Sequence, residues 1–345
     1  MRKPLNKNWL SLKKTPKSNL LASHSAVVQN IATAVSGAQS VLVAAHARPD
    51  GDALGSTLAL FHTLSEQGKQ VTMYIPDPAP DFFAFLPSIE QITHVKPDTS
   101  AFDVFFIVDC TSAARAQLAE EVAAHPNVIN IDHHRGNAEE GIINLIVPEA
   151  AATTYILFEL FQSLGWPINK DVATSLLTGI FTDTGSFMHD SVTPDLLEIA
   201  AFLMKKGARL SHIAHETYQK KELPGLKIWG RVLSGITIDS KTETAVSVVT
   251  QQDLKECNAT IDDLEGVVSM INTLPDTKLA MLLVQLGPGM IKGSLRSEPH
   301  KGVDVSKLAK RLGGGGHTLA AGFEIEGDIV RENDTWRVIP PASTS

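Results

Sequence analysis

Short apolar runs alternate with amphipathic stretches through the first half of the chain. The runs predict β-strands, and an apolar residue every three to four positions predicts α-helices. Predicted strands cover 41–45, 71–75, 104–109 and 128–132, and predicted helices cover 52–67, 113–124, 155–164, 171–181 and 193–206. Because strand, helix and strand follow one another, each strand pair needs a crossover, which favours a parallel sheet. The pattern predicts an N-terminal α/β domain with a parallel sheet and helices on both faces.

A second α/β pattern follows a predicted connecting helix at 222–234. Predicted strands cover 244–249, 279–286, 291–295 and a final run through Ile325, with helical stretches at 253–272 and 305–312. These elements predict a smaller C-terminal α/β domain joined by a helical linker. The expected boundaries are a disordered basic tail at 1–20, an N-terminal domain at 21–218, a linker helix at 219–236, a C-terminal domain at 237–335 and a tail at 336–345.

Acidic and histidine side chains are concentrated in four short segments. Three of these segments follow or end predicted strands, and the fourth lies at the end of a predicted helix. The six candidate metal ligands are His46, Asp50, Asp52, Asp109, His133 and Asp183. In open α/β sheets, ligands sit beyond the carboxyl ends of the strands, where these side chains would meet. Oxygen and imidazole donors without cysteine favour Mn²⁺ or Mg²⁺ over structural zinc.

Each segment also has a structural alternative. Pro49-Asp50-Gly51 is typical of a surface turn, in which Gly51 would allow a sharp change of chain direction. Asp109 could cap a helix, and Asp183 could mark a helix end. The six residues together favour two metal ions about 3.5 to 4 Å apart that share Asp109 and lower the pKa of a bridging water. His134, beside His133, supplies a second imidazole for proton transfer or phosphate contact.

Length and composition agree with a two-domain globular protein. The chain has 345 residues, of which 43% are hydrophobic and 20% charged, and this length exceeds that of most single cores. Its longest apolar runs fall short of the roughly 20 residues that a membrane-spanning helix needs. The two cysteines, Cys110 and Cys257, indicate neither a disulfide framework nor a thiolate zinc site. The basic N-terminal segment lacks the apolar core of a secretory signal, so we expect a cytoplasmic protein.

The formal net charge of −8 argues against broad capture of duplex nucleic acid. Residues 292–311 depart from this average, with six Lys or Arg against two acids. An anionic ligand would therefore find a favourable surface late in the chain.

A glycine run, Gly313–Gly316, precedes His317 and could let backbone amides approach phosphate oxygens. Arg296, on the predicted strand just upstream, could pair bidentately with a phosphate. The structural alternatives are a flexible linker and a solvated strand arginine. The sequence contains no phosphate-binding P-loop, no Gly-x-Ser-x-Gly elbow and no strand-associated dinucleotide fingerprint.

Six short motifs resemble those of the DHH phosphoesterase superfamily. In the N-terminal part they are His46–Asp52, Asp109, Asp132-His133-His134 and Thr182–Gly185, and in the C-terminal part they are Leu295–Ser297 and Gly313–Gly322, which resemble the associated substrate-binding domain. The resemblance spans residues 25 to 326 or thereabouts. It implies a catalytic domain at 21–218 and a substrate-binding domain at 237–335.

The resemblance also implies the roles of individual residues. His46, Asp50 and Asp109 would hold one manganese ion, and Asp52, Asp109, His133 and Asp183 the other. Asp109 and His134 would be the catalytic residues, with His134 acting at the scissile phosphate. The residues that would hold the nucleotide are Arg296, Ser297, Gly314, Gly315, Gly316 and His317, with Arg115 as a weaker phosphate contact.

The main hypothesis is a two-metal phosphoesterase, using Mn²⁺ or alternatively Mg²⁺. Its expected substrates are short single-stranded RNA or a related small phosphorylated nucleotide. The resemblance implies hydrolysis of the RNA to mononucleotides and of 3′-phosphoadenosine 5′-phosphate to AMP. A homodimer is compatible with this activity, and no membrane partner is expected. The alternatives are a phosphodiesterase for cyclic or linear dinucleotides, an exopolyphosphatase-like enzyme, and a nucleotide-binding regulatory module without activity. The full set of six ligands argues against the last of these.

Overall fold

A computed structural model describes residues 20–219, 222–332 and 335–339. The chain divides into two compact units between residues 219 and 220. The basic tail expected at 1–20 lies outside the described residues except for Leu20. Among the helices of the described ranges, none is both long and apolar enough to cross a membrane.

The N-terminal unit contains a five-stranded sheet. Its strands are β1 Ser40–Ala44, β2 Gln70–Tyr74, β3 Val104–Val108, β4 Val128–Asp132 and β5 Ile143–Ile146. They lie in the order β2-β1-β3-β4-β5, and every pair is parallel. The predicted parallel sheet is confirmed. The edge strand β5 was not predicted, because Leu145 is its only buried residue and its apolar signal is weak.

In the described part of the N-terminal unit, seven α-helices accompany this sheet. They are α1 Ser25–Gly37, α2 Gly51–Glu66, α3 Ala119–Ala124, α4 Thr153–Leu164, α5 Lys170–Asp183, α6 Pro194–Lys205 and α7 Leu210–Ala214. The helix predicted over 113–124 is instead a short 3-10 turn, Ala113–Ala116, followed by α3. Gln117 separates the two with a left-handed φ of 58°, a conformation that interrupts a right-handed helix.

Successive strand residues alternate between two cores because side chains point to opposite faces of a strand. Val43 and Phe106 lie in the larger core with residues of α1, α2, α4, α5 and α6. Leu42 and Phe105 lie in a second cluster that includes Val122 of α3. Helical segments therefore cover both faces of the sheet, as predicted.

The C-terminal unit is a smaller α/β structure. Its elements are α8 Leu223–Ser234, β6 Thr237–Asp239, β7 Thr244–Val249, α9 Gln251–Cys257, α10 Val267–Asn272, β8 Leu279–Gly287, β9 Met290–Arg296, α11 Val305–Arg311, β10 Gly315–Gly316, β11 Ala320–Glu326, β12 Asp328–Glu332 and β13 Thr335–Ile339. Six strands form a mixed sheet in the order β10-β11-β9-β8-β7-β6, in which β7 and β8 are the parallel pair. The strands β12 and β13 form a separate antiparallel hairpin.

Three details of this unit differ from the sequence-based boundaries. The helical stretch expected at 253–272 is broken after α9, where Asn258 has a left-handed φ of 53°. The helix α8 packs into this unit through Ile228 and Val232, so the predicted linker helix contributes to its core. Residues 336–339, assigned to a tail, belong to β13.

Candidate metal centre

The six predicted ligand residues converge at the carboxyl edge of the N-terminal sheet. The strands β1, β3 and β4 are adjacent and parallel, so the segments that follow them emerge side by side. Asp109 directly follows β3 and its backbone N–H donates to the carbonyl of Ile131 in β4 (3.0 Å). The ends of α2 and α5 supply the remaining carboxylates. The donor atoms form groups that could each hold a metal ion.

One group contains His46, Asp50 and Asp109. The Nε2 atom of His46 lies 3.9 Å from Asp50 Oδ2 and 3.7 Å from Asp109 Oδ2. Its Nδ1 lies 2.8 Å from the Ala47 carbonyl, so an Nδ1–H that donates there leaves the Nε2 lone pair directed at this group. Asp50 also caps α2, because its Oδ1 accepts from the N–H groups of Asp52 and Ala53 at 3.0 Å each. The cap and the candidate metal contact therefore use different oxygens of Asp50.

A second group contains Asp52, His133 and Asp183. His133 Nε2 lies 4.0 Å from Asp52 Oδ2, 3.4 Å from Asp183 Oδ2 and 3.7 Å from Asp109 Oδ1. Its Nδ1 lies 3.2 Å from the carbonyl of Ala150, which orients the ring in the same way as for His46. Asp109 therefore faces both groups, one oxygen toward each.

Asp52 is held by the N-terminus of α4. Its carboxylate accepts from the N–H of Thr153 (2.5 Å) and from the N–H (2.9 Å) and hydroxyl (2.5 Å) of Thr154. Amide N–H groups at a helix start favour a negative charge. The Thr153 hydroxyl also donates to Asp109 (3.0 Å). The sequence reasoning missed these two threonines, although a polar pair at the start of an otherwise apolar, buried helix was a usable signal.

Asp132 orients the neighbouring histidine. It is completely buried, and its Oδ1 lies 2.7 Å from Nδ1 of His134 and accepts from the N–H of His133 at 2.8 Å. Its other oxygen accepts from the side chain of Asn137 (2.6 Å). With Nδ1–H donating to Asp132, His134 exchanges protons at Nε2. Asn137 was not predicted from the sequence.

Burial and crowding shift the titration of the carboxylates. Burial, and next the charge of Asp109, raise the pKa of Asp52 to about 7. Burial and then the charge of Asp52 raise the pKa of Asp183 well above its usual range. Burial would also raise the pKa of Asp109, but the hydrogen bond and charge of His46, with the charges of His133 and His134, lower it below its ordinary value. The cluster thus carries more negative charge than its own side chains neutralise.

The same carboxylates shift the pKa values of the three histidines of the cluster. Burial alone would lower the pKa of His46, His133 and His134, yet the neighbouring carboxylates outweigh it and raise the pKa of all three. Divalent cations would replace these protons and neutralise the carboxylates. The donor chemistry of the cluster, with carboxylate oxygens and imidazole nitrogens, therefore fits manganese or magnesium.

Two glycines allow the helices that carry the acids to approach closely. A Cβ on Gly51 would lie 2.3 Å from the Thr182 hydroxyl, and one on Gly179 would lie 2.6 Å from Asp52 Oδ1. Gly51 is the first residue of α2, and it is absent from the positive-φ glycines. The expectation that Gly51 serves a sharp turn is therefore replaced by a steric role against α5.

Asp109 itself has a strained backbone, with a φ of 53° directly after β3. A left-handed conformation costs a non-glycine residue roughly 1–2 kcal/mol. Hydrogen bonds hold this backbone in place: the N–H of Asp109 donates to the Ile131 carbonyl (3.0 Å), and the Cys110 carbonyl accepts from the Asn137 side chain (2.9 Å). Such backbone outliers are concentrated at functional sites.

The residues expected to bind the nucleotide lie in both units. In the N-terminal unit, Arg115 is exposed, and its carbonyl accepts from the N–H of Ala47 beside His46 (2.8 Å). In the C-terminal unit, Arg296 is half-buried at the end of β9 and His317 is exposed. Ser297 is buried, and its hydroxyl donates to the Lys278 carbonyl (2.7 Å). The Ser297 hydroxyl proton is therefore already used within the fold.

Three of the four glycines before His317 are explained by backbone conformation or close packing, and the fourth is not. Gly313 has a φ of 76°. A Cβ on Gly314 would lie 2.1 Å from the Gly322 carbonyl, and one on Gly316 would lie 2.6 Å from the Ala320 carbonyl. Gly315 has neither constraint, because its φ is not positive and a Cβ would meet nothing within 4 Å. Neither its own backbone nor its neighbours explain the missing side chain at Gly315.

The metal-free protein should lose stability as the pH rises from about 4 to above 7. Asp52 has a folded-state pKa of about 7 against about 3.9 in the unfolded chain, so its stabilising contribution is lost across that interval. The raised histidine pKa values act in the same direction, since their contribution is present below about pH 6.5 and lost above it. Thermal unfolding in EDTA at several pH values measures this slope.

The same measurement on Asp183→Asn shows whether the pH dependence of stability arises from the acid–histidine cluster or from other titratable groups. Removing this carboxylate should flatten the slope and raise the unfolding temperature near pH 8, because like-charge repulsion is relieved. Glu198→Gln, on the exposed side of α6, is the control and should retain the wild-type slope. An unfolding temperature of the wild type that rises with pH would contradict the assignment.

Two known protein families match the chain over these elements. The DHH family, N-terminal domain, matches residues 40–180, and the DHHA1 domain matches residues 242–334. The first match covers the parallel sheet and five of the six candidate ligands, and ends three residues before Asp183. The second covers most of the C-terminal unit, including Arg296 and the glycine run.

Relatives with known names match nearly the whole chain. The bifunctional oligoribonuclease and PAP phosphatase NrnA of Thermus thermophilus is 31% identical over 301 residues, which cover 87% of this chain and 88% of that protein. The protein of the same name from Bacillus subtilis is 23% identical over 83% of this chain and 89% of its own length. The crystal structure of an exopolyphosphatase-related protein from Bacteroides fragilis has a TM-score of 0.82 and 28% identity, covering 88% of this chain and 92% of that one.

The fold and the acid–histidine cluster together define a hydrolase of phosphate esters. The chain belongs to the DHH family, as the resemblance of its motifs predicted.

Proposed function

We propose that this protein hydrolyses short single-stranded oligoribonucleotides to mononucleotides and also removes the 3′ phosphate from 3′-phosphoadenosine 5′-phosphate. The names of the relatives from Thermus thermophilus and Bacillus subtilis, which match more than four fifths of the chain, support both activities. A single structural observation carries the proposal. The Asp109 carboxylate faces two groups of acidic and histidine side chains, each of which could hold a metal ion.

Two Mn²⁺ ions are the proposed cofactors, with Mg²⁺ as the alternative. His46, Asp50 and Asp109 would hold one ion, and Asp52, Asp109, His133 and Asp183 the other. Bound divalent ions supply a water molecule of lowered pKa and positive charge beside the phosphate. The protein contributes the spacing of the donors, through the caps and hydrogen bonds that orient them.

Catalysis also needs a group that moves a proton at the reacting phosphate, and His134 is the proposed one. Asp132 holds its Nδ1 at 2.7 Å, fixes the ring orientation and stabilises the protonated form. The raised pKa of His134 lets it carry a proton near neutral pH. We propose that His134 donates this proton from Nε2 to the departing oxygen, while Asp132 acts as a positioning residue.

The proposed nucleotide-binding residues of the C-terminal unit are Arg296, the glycine loop 313–316 and His317. Arg296 offers a guanidinium for a phosphate, and the exposed backbone of Gly315 and Gly316 lets a phosphate approach closely. Because Ser297 already donates its hydroxyl proton to Lys278, we propose that it supports the position of Arg296 and contacts the ligand less directly.

Gly315→Ala should weaken substrate binding without harming the fold. A methyl group at this position meets nothing within 4 Å, so the unfolding temperature should stay within a few degrees of wild type. A phosphate that approaches the bare backbone would meet the methyl group, and we expect KM to rise by roughly tenfold, equivalent to about 1.4 kcal/mol. Steady-state kinetics and thermal unfolding measure the two effects. An unchanged KM would exclude close ligand approach at Gly315.

A product assay tests the proposed function itself. Purified protein with Mn²⁺ is incubated with a diribonucleotide, a pentaribonucleotide, 3′-phosphoadenosine 5′-phosphate, a cyclic dinucleotide and inorganic polyphosphate, and products are separated by chromatography. We expect turnover of the first three. Failure to release mononucleotides from either RNA would overturn the proposal.

The second candidate function is hydrolysis of inorganic polyphosphate. The exopolyphosphatase-related protein with a TM-score of 0.82 favours it, and the same ligands would serve both reactions. Release of phosphate from polyphosphate at a higher kcat/KM than from any nucleotide would establish this candidate instead.

A further inference from the structure

The basic stretch from Lys292 to Arg311 contains more positive charge than the proposed nucleotide-binding residues use. One of its six cations, Lys301, makes hydrogen bonds within the C-terminal unit. Its ammonium donates to the carbonyls of Asn272 (2.5 Å) and Leu274 (3.2 Å), to the side-chain oxygen of Asn272 (3.2 Å) and to the hydroxyl of Thr277 (3.3 Å). Lys301 thus ties the end of α10 to the loop after β9 and has no part in a ligand surface.

The helix α11 carries three further cations on one side. Val305, Ser306 and Ala309 are its buried residues, whereas Lys307, Lys310 and Arg311 are exposed. Residues three and four positions apart lie on the same helix face. The three cations therefore form one surface, which we call the α11 basic face.

Little negative charge offsets this face. Lys307 lies 3.6 Å from Asp304 and remains 78% exposed, so this contact is a weak surface pair. Lys310 and Arg311 have no carboxylate within ion-pair distance among the residues that the structure describes. The face therefore carries a net positive charge in a protein whose formal net charge is −8.

The α11 basic face is continuous with the glycine loop. The N–H of Gly313 donates to the Lys310 carbonyl (3.2 Å), and the N–H of Gly314 donates to the Ala309 carbonyl (2.8 Å). Residues 315–318 are exposed directly beyond this junction. A ligand phosphate at the glycine loop would therefore lie at the end of a row of cations.

We propose that the α11 basic face binds the backbone phosphates of additional nucleotides in an oligoribonucleotide. Lysine and arginine side chains of this kind contact phosphates without reading base identity. A mononucleoside bisphosphate has no phosphates beyond those at its own nucleotide site. The face thus separates the two substrates of the proposed function, on which this inference rests, by favouring RNA over 3′-phosphoadenosine 5′-phosphate.

Binding measurements on the full chain test the face without requiring catalysis. Fluorescein-labelled pentaadenylate is titrated with protein in EDTA, and anisotropy gives the Kd at several salt concentrations. The variant K307Q/K310Q/R311Q should bind pentaadenylate roughly tenfold more weakly at low salt. The slope of log Kd against log salt concentration should become shallower by up to about 2, because three contacts to a single strand are lost. The Kd of 3′-phosphoadenosine 5′-phosphate, measured by competition with the labelled RNA, should change by less than about twofold in this variant.

The matched control is K227Q/K241Q/K255Q, which removes the same charge from exposed positions of the C-terminal unit. It should bind both ligands like wild type. An equal loss of both ligands in the α11 variant, no loss of pentaadenylate, or the same loss in the control would each overturn the proposal. Thermal unfolding checks that both variants fold, because Lys310 and Arg311 also stabilise the end of α11. Hydrolysis is assayed separately, so loss of the proposed function and loss of this surface give different results.

Discussion

Asp109→Ala is expected to lower kcat/KM for diribonucleotide hydrolysis by about 10⁴-fold or more, a loss typical of removing a central catalytic group. The carboxylate faces His46 at 3.7 Å and His133 at 3.7 Å, so one substitution removes a donor from both candidate ion positions. Initial rates at saturating Mn²⁺, with product identified by chromatography, measure the effect.

Stability measurements show whether this loss is specific to the site. Mn²⁺ should raise the unfolding temperature of the wild type and raise that of Asp109→Ala much less, since a ligand that binds more tightly stabilises the folded state more. Glu198→Ala, an exposed carboxylate of α6, should behave like wild type in both assays. A folded Asp109→Ala protein that retains wild-type turnover would refute the metal centre.

His134→Ala is expected to lower kcat by 10²- to 10⁴-fold, the usual contribution of a positioned proton donor. Its effect on Mn²⁺ affinity should be small, because His134 is outside both proposed ion-binding sets. Rates measured across pH should lose the limb that reports the raised pKa of His134. This split between turnover and metal affinity distinguishes His134 from the proposed ligands.

Asp132→Asn tests the positioning role through the same histidine. The amide still fills the space of the carboxylate, but it no longer offers a charged acceptor to His134 Nδ1 at 2.7 Å. We expect a 10- to 100-fold fall in activity and a shift of the pH profile toward lower pH. If Asp132→Asn and wild type had identical pH profiles, the proposed positioning role of Asp132 would be wrong.

Much of the N-terminal fold was readable from local patterns. Continuous apolar runs such as Val104–Val108 are buried on both faces, and buried parallel strands have this composition. The chain was least readable where backbone geometry departs from the regular elements. Gln117 and Asn258 break predicted helices with left-handed φ values. Asparagine is enriched in this conformation, whereas glutamine gives no such signal.

The candidate ligands could be predicted from the sequence, but the residues that orient them could not. Acids and histidines that follow apolar runs can be recognised in the sequence. Because the carboxyl ends of parallel strands lie at one edge of a sheet, these residues are expected to lie close together. The residues that orient them are distant in sequence: Thr153 and Thr154 bind Asp52 across about one hundred positions. A polar pair at the start of a buried helix indicates that the two threonines need polar partners, but it does not indicate which carboxylate they contact.

The amino-acid sequence by itself determined the class of the fold, the order of most of its elements and the choice of candidate metal ligands, because periodicity and residue chemistry are local properties. Only the tertiary structure decided that Asp109 faces both donor groups, that Gly51 serves close packing against α5, and that the α11 basic face continues into the glycine loop. Those features depend on distances between remote segments, which packing sets and the linear order of residues does not.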